Sequence, residues 1–273
     1  MKLAILLAAL VASLLPAAVV TVNGNKVWYE ETGSGATAVV LIHGWTCDTT
    51  FWSAQAPELA KHFRVINIDL PGHGKSDKPK DATYDMGLFS SAVLGVMDAQ
   101  KVGRAVMVGH SMGLPVIRAV AVLAPERVLG LVSVDGVIFK ADPEQVRKFA
   151  ATMAGEPGLA ARRRMIENMF VESTPETLRE RIRKAMLGTP DYVAMSAMGH
   201  MADPGKWSAP DPVAPVLAMQ RKTGDKRVGE TFKATFPKVD YREMEGVGHF
   251  LMMEKPAEFN AQLIAWIGTI IKK

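Results

Sequence analysis

Ala105-Val106-Met107-Val108-Gly109-His110-Ser111-Met112-Gly113 is the stretch on which the fold turns. Its first four residues are apolar and rich in valine, which predicts a buried strand. Leu114-Pro115-Val116-Ile117 onward is apolar with a helical pattern. Between them lies a G-x-S-x-G pentapeptide, so strand, sharp turn and helix follow one another within a few residues. A serine at such a corner sits in a strained backbone that pushes its Oγ outward. Side chains at Gly109 and Gly113 would collide with the neighbouring strand and helix. The helix start aims free N–H groups and its positive dipole end at the same spot. Ser111 is therefore the candidate nucleophile, against the alternative of a structural turn serine.

Two more segments share this strand-then-loop character. Leu41-Ile42-His43-Gly44-Trp45 closes the apolar run Ala38-Val39-Val40 and opens a loop. Gly246-Val247-Gly248-His249-Phe250 follows a strand-like Val239–Met244 and leads into Glu254-Lys255-Pro256. Together these motifs resemble the α/β-hydrolase superfamily, in its lidded, esterase-like serine hydrolase branch. The resemblance runs from about Val20 to the C-terminal helix. It implies an α/β fold: a doubly wound, mostly parallel sheet with an inserted helical cap.

The resemblance also implies roles. His249 becomes the general base that takes the Ser111 proton and later returns it to the leaving group. The backbone N–H groups of Trp45 and Met112 become the oxyanion hole. His43, Gly44, Phe139 and Phe250 are expected around the substrate pocket, with His43 mainly a structural loop residue. Trp45 and Met112 are expected to serve as pocket walls too. The acid has two candidates. The superfamily usually carries it after the strand that begins Pro215-Val216-Leu217, but this chain reads Gln220-Arg221-Lys222-Thr223-Gly224-Asp225 there. Asp225 comes late and is crowded by Lys222, Lys226 and Arg227. Asp135 ends the preceding strand, Val128–Val134, where some branches place the acid. Asp135 is preferred and Asp225 is the alternative.

Beyond the motifs, β and α patterns alternate. Val19–Val22 and Val27–Glu30 flank Asn23-Gly24-Asn25, a hairpin signature. Arg64–Leu70 reads as a strand running into Pro71–Asp77, where His73, Asp77 and Asp69 read as structural. A helix is expected from about Met86 to Gln100, capped by Asp85. From 138 to 210 the pattern is helical with no convincing strand, which predicts the cap inserted into a core made of 19–137 and 211–273. That insert is rich in methionine, including Met153, Met165, Met169, Met186, Met195, Met198 and Met201. These residues either pack the cap or form an adaptable apolar wall. Its arginines, Arg162-Arg163-Arg164 and Arg179 to Lys184, read as a solvated face.

Composition narrows the function. The chain has 273 residues, 48% of them hydrophobic, and a formal net charge of +4, which suits one large domain and implies no nucleic-acid partner. A single cysteine, Cys47, excludes an intrachain disulfide and any CxxC site. No metal, nucleotide or phosphate motif is present, so no cofactor is expected. Lys2, the apolar run Leu3–Leu15 and Pro16-Ala17-Ala18 read as a signal peptide over 1–18. This predicts an exported, periplasmic or secreted protein, in contact with a membrane only if that segment is retained. The expected activity is hydrolysis of a small or apolar carboxylic ester through an acyl-enzyme on Ser111. Alternatives are lactonase, carbon–carbon hydrolase or perhydrolase chemistry on the same groups. A different class is a ligand-binding member that turns over poorly.

Overall fold

The computed structural model describes residues 18–136, 138, 142–202 and 214–272. Residues 1–17 of the expected 1–18 leader, and Phe139, lie outside these residues. Among the described residues eight strands form one sheet: β1 Ala18–Val22, β2 Asn25–Thr32, β3 Ala38–Ile42, β4 Arg64–Ile68, β5 Ala105–His110, β6 Val128–Val134, β7 Val216–Arg221 and β8 Asp240–Met244. Their spatial order is β1-β2-β4-β3-β5-β6-β7-β8. The β1–β2 and β2–β4 pairs are antiparallel and the rest are parallel. The hairpin signature holds: Asn23 and Gly24 both take positive φ, 49° and 83°. Two such residues in succession are what a two-residue turn matched to strand twist requires.

Every residue of β3 and β5 is buried. Parallel strands covered on both faces read as continuous apolar runs for this reason. The principal covering helices are α2 Met86–Ala99, α3 Gly113–Leu123, α8 Lys226–Thr235 and α10 Pro256–Ile270. Asp85 caps α2 by accepting the Leu88 N–H at 2.7 Å. Short α1 Ala56–Leu59 and α9 Leu251–Glu254 complete the core helices. Between β6 and β7 the described residues form α4 Pro143–Ala151, α5 Gly155–Glu167, α6 Glu176–Gly188 and α7 Asp191–His200, the helical insert expected there.

The insert departs from its expected basic face most at Arg162, with Arg179 and Arg183 half-buried as well. Arg162 turns inward, with its side chain 6% exposed, and pairs with Asp191 at 2.7 Å. Charge along a helix does not reveal which turn packs against a neighbour. Arg163 and Arg164 are exposed as expected.

The chain leaves β3 toward β4 on one side and returns to β5 on the other. Loops after β3 and β5 therefore diverge at the carboxyl ends of adjacent strands, where open α/β sheets form their clefts. Ser111 follows β5 and the Trp45 loop follows β3.

Candidate active site

Ser111 has φ of +52°. Its N–H donates to Val134 O at the end of β6, and its carbonyl accepts from Leu114 N–H, both at 3.0 Å. The glycines show why the corner admits nothing larger. A Cβ on Gly109 would lie 2.4 Å from Gly113 O, and one on Gly113 would lie 2.7 Å from Ile42 O. Of five non-glycine residues with positive φ among those described, three lie in the loops of this cleft: Thr46 at 56°, Ser111 and Asp135 at 42°. Such conformations cost about 1–3 kcal/mol each and persist where surrounding structure over-determines them.

The structure brings Asp135, not Asp225, to His249. The His249 Nδ1–H donates to Asp135 Oδ2 at 2.6 Å, and both side chains are buried. The other carboxylate oxygen accepts the Arg221 backbone N–H at 3.0 Å. The buried Gln220 carboxamide, turned so that both its ends are satisfied, donates to the same Oδ1 at 3.2 Å and accepts from Gly136 N–H at 3.3 Å. The Arg221 guanidinium stands 3.4 Å from Oδ2. Burial, the largest single influence, pushes the Asp135 pKa up. The hydrogen bond and charge of His249, with Arg221, outweigh it and hold the carboxyl below its ordinary value. Asp225 instead caps α8 through Arg227 N–H and pairs with the Arg227 side chain at 2.6 Å. Lys222, also expected against Asp225, pairs with Glu245.

His110 lies beneath the site. Its Nε2–H donates to the His249 carbonyl at 2.9 Å, and the two rings are 4.7 Å apart. Full burial, then the neighbouring His249, lowers the His110 pKa to about 3, so it is a neutral support under the histidine loop. The His249 N–H itself donates to Met169 O of the helical insert at 2.8 Å. Glu254 accepts from Gly248 N–H at 2.8 Å and from Thr174 Oγ1 at 3.2 Å. None of the supports from Gln220, Arg221, Met169 or Glu254 has a motif that flags it in the sequence: the first three act between elements far apart in the chain, and Glu254 joins nearby Gly248 to distant Thr174.

Ser111 and His249 face one cleft, walled by Trp45, Cys47, Met169, Met186 and Phe250. Phe250 and Trp45 thus stand where the sequence puts them. Three expectations need correction. His43 does not line this cleft: it is fully buried, its Nε2 accepts Leu70 N–H at 3.0 Å, and its Nδ1–H donates to Gly44 O at 2.8 Å. Gly44 is turned inward against His110, where a Cβ would come within 2.8 Å of the ring. Met112 is likewise buried and is not a cleft wall. Its backbone N–H and that of Trp45 make no hydrogen bond within the protein among the described residues. Asp69 is structural as expected, accepting from Thr49 and Lys75 N–H groups. Among the described residues no group of His, Cys, Asp and Glu could hold a metal ion.

Comparison with known proteins adds three relatives. The chain is 28% identical over 259 residues to the dihydrolipoyllysine-residue acetyltransferase component of the acetoin cleaving system of Pseudomonas putida, covering 88% of this chain and 66% of that protein. It thus spans just under two thirds of that relative's length. It is 28% identical to the 2-hydroxy-6-oxononadienedioate/2-hydroxy-6-oxononatrienedioate hydrolase of Burkholderia vietnamiensis, covering 89% and 91% of the two chains. The solved thermophilic esterase of Thermogutta terrifontis superposes with a TM-score of 0.82 at 26% identity, covering 94% of this chain and 99% of that one. The profile of the alpha/beta hydrolase fold matches residues 37–199, more than half of the chain. With the sheet order and the serine corner already described, that match identifies the chain as a member of the alpha/beta hydrolase fold family.

Proposed function

We propose that the protein is a serine hydrolase that cleaves a carboxylic ester of a small or apolar substrate. Ser111 Oγ attacks the ester carbonyl while His249 takes its proton. The bond to the alcohol oxygen then breaks, and His249 returns the proton to the departing alcohol. Water, deprotonated by His249, attacks the acyl-enzyme and releases the acid. Asp135 fixes the histidine tautomer. With its Nδ1–H committed to the carboxylate, the ring keeps its lone pair on Nε2, the nitrogen a general base needs. The N–H groups of Trp45 and Met112 stabilise the oxyanion.

The observation that carries this reading is the pairing of His249 with Asp135 at 2.6 Å beside a serine held at φ +52° in the same cleft. The test is turnover of p-nitrophenyl esters by wild type and Ser111→Ala, with fluorophosphonate labelling in parallel. Hydrolysis and labelling that both vanish in the variant support the reading. Labelling without ester turnover would move it to another acyl substrate. Neither hydrolysis nor labelling would favour a ligand-binding member.

The Burkholderia vietnamiensis relative, named for a dioate substrate, favours a second reading in which the same residues act on such a compound. Turnover of a dioate in preference to every simple ester would select it. Export after removal of residues 1–18 is proposed on the sequence of that segment alone. N-terminal sequencing of the protein from its native host tests it. Among the described residues no helix is long and apolar enough to cross a membrane.

A further inference from the structure

The free space beside Ser111 is about 10 Å³, roughly what one water molecule needs, so an acyl group enters only where the flexible Met169 and Met186 side chains give way, and the shortest chains displace them least. The cleft walls are fastened at several points. Met169 lines the cleft and its carbonyl accepts the His249 N–H at 2.8 Å. Arg179 braces the same segment, donating to Thr174 O at 2.9 Å and Val171 O at 2.6 Å. The Trp45 indole N–H donates to Ala194 O of α7 at 2.7 Å, and Thr189 Oγ1 donates to Thr46 O at 3.2 Å. The insert therefore grips both loops that flank the serine. Retracting the Met169 segment to make room would release the histidine that the chemistry needs.

The walls also lack charge. Apart from the histidines, no ionisable cation or carboxylate lines the cleft among the described residues. Burial pushes the Cys47 thiol well above its ordinary pKa, so it too presents a neutral surface. A carboxylate placed here would lose its hydration with no cation to replace it.

We propose that the Ser111 cleft accepts a short, uncharged acyl group, of about acetyl to butyryl size, and that Met169 and Met186 set this limit. The proposal rests on the ester-hydrolase reading above and names the acyl class of its substrate. The limit is assigned to the acyl half because that half is bonded to Oγ beside Met169 and Met186, while the alcohol, p-nitrophenol throughout the ester series, is constant and cancels from the comparison. A roomy apolar pocket gives the opposite behaviour: each added methylene contributes about fourfold in kcat/KM when fully buried.

The experiment measures kcat/KM of the full chain on p-nitrophenyl acetate, butyrate, hexanoate and octanoate, and on the p-nitrophenyl ester of succinic acid. The panel is wild type, Met169→Ala, Met186→Ala and, as a milder change, Met186→Val, each checked by thermal melting. Met169→Ala keeps the carbonyl that holds His249. Wild type is expected to peak at acetate or butyrate and to fall at least about tenfold by octanoate, since added methylenes overpack a closed site. The succinate ester should run at least about tenfold below butyrate, because its carboxylate finds no partner. The methionine variants should raise the octanoate-to-acetate ratio about tenfold or more by opening space where the side chain stood. A wild-type profile that rises toward octanoate, or a succinate ester cleaved as fast as butyrate, overturns this proposal and leaves the ester reading standing. An unchanged ratio in every folded variant overturns the assignment of the methionines. The wild-type series decides the size limit even where a variant fails to fold. No Ser111-dependent hydrolysis of any ester overturns the ester reading and the proposal together.

Discussion

Asp135→Asn is the perturbation whose outcome follows most directly from the hydrogen bonds. Asp135 Oδ1 faces two donors, the Arg221 backbone N–H at 3.0 Å and the Gln220 carboxamide at 3.2 Å. In the variant the carboxamide oxygen must take that position, since an NH₂ group there would meet N–H against N–H. The NH₂ then occupies the place of Oδ2 and points at His249 Nδ1. Nδ1 is forced to accept, and the ring proton moves to Nε2, where the proton of Ser111 should go. A triad with its histidine in this tautomer loses about 10⁴-fold in kcat, equivalent to about 5 kcal/mol of transition-state stabilisation. The assay is kcat/KM on p-nitrophenyl acetate from about pH 5 to about pH 9, with a thermal melt to show that the variant is folded. Asp225→Asn is the control. Asn caps a helix about as well as Asp, so activity should stay within about twofold and the melting temperature should barely move. Asp135→Asn within tenfold of wild type, or a loss that falls on Asp225→Asn, would refute the reasoning.

Three further outcomes follow. Burial holds His73 and His110 neutral with pKa values of about 3 and pushes His43 the same way. Depressed folded-state values mean that stability is complete above the unfolded histidine pKa of about 6.5 and is lost as pH falls toward about 3. Two such groups cost about 3 kcal/mol by pH 5.5, so the melting temperature should drop by roughly 6–12 °C between pH 7.5 and 5.5; an unchanged melt contradicts neutral burial. Gly109→Ala drives a Cβ to 2.4 Å from the Gly113 carbonyl, and should cost at least about 1–3 kcal/mol in denaturant titrations, together with most of the activity. Native activity indistinguishable from wild type would mean the corner can yield. Cys47 is 2% exposed and its thiol pKa is raised by burial. Iodoacetamide at neutral pH should leave it unmodified in the folded protein and alkylate it only on unfolding, as read by intact mass; rapid native labelling contradicts the closed cleft.

Elements that a local rule dictates were legible in the sequence. Asn23-Gly24 announces its turn, Asp85 its helix cap, and the runs Ala38–Ile42 and Ala105–Val108 their buried strands, because turn geometry, capping and double-sided burial act within a few residues. Ser111 and His249 were legible through their glycine-flanked loops. The acid was only half so. Asp135 and Asp225 both end or follow neighbouring strands, and what separates them is three-dimensional: one carboxylate meets Gln220, Arg221 and His249, the other folds back on Arg227 two residues away. His43 misled as a pocket residue because its neighbour in sequence, Trp45, does line the cleft. A tight loop sends successive side chains in different directions, and His43 spends both ring nitrogens on backbone groups. The grip of the insert on His249 is a bond between two backbone groups, at Met169 and His249, so no side-chain pattern could encode it.

The central claim is that Ser111 carries the acyl group. Rapid quenching of wild-type protein during turnover of p-nitrophenyl acetate, followed by mass spectrometry of its peptides, tests it most directly. The account predicts an acetyl adduct on the peptide bearing Gly109-His110-Ser111-Met112-Gly113, together with a burst of p-nitrophenol, and neither in Ser111→Ala. Turnover that persists in Ser111→Ala, or an adduct that forms on another residue instead, would contradict it.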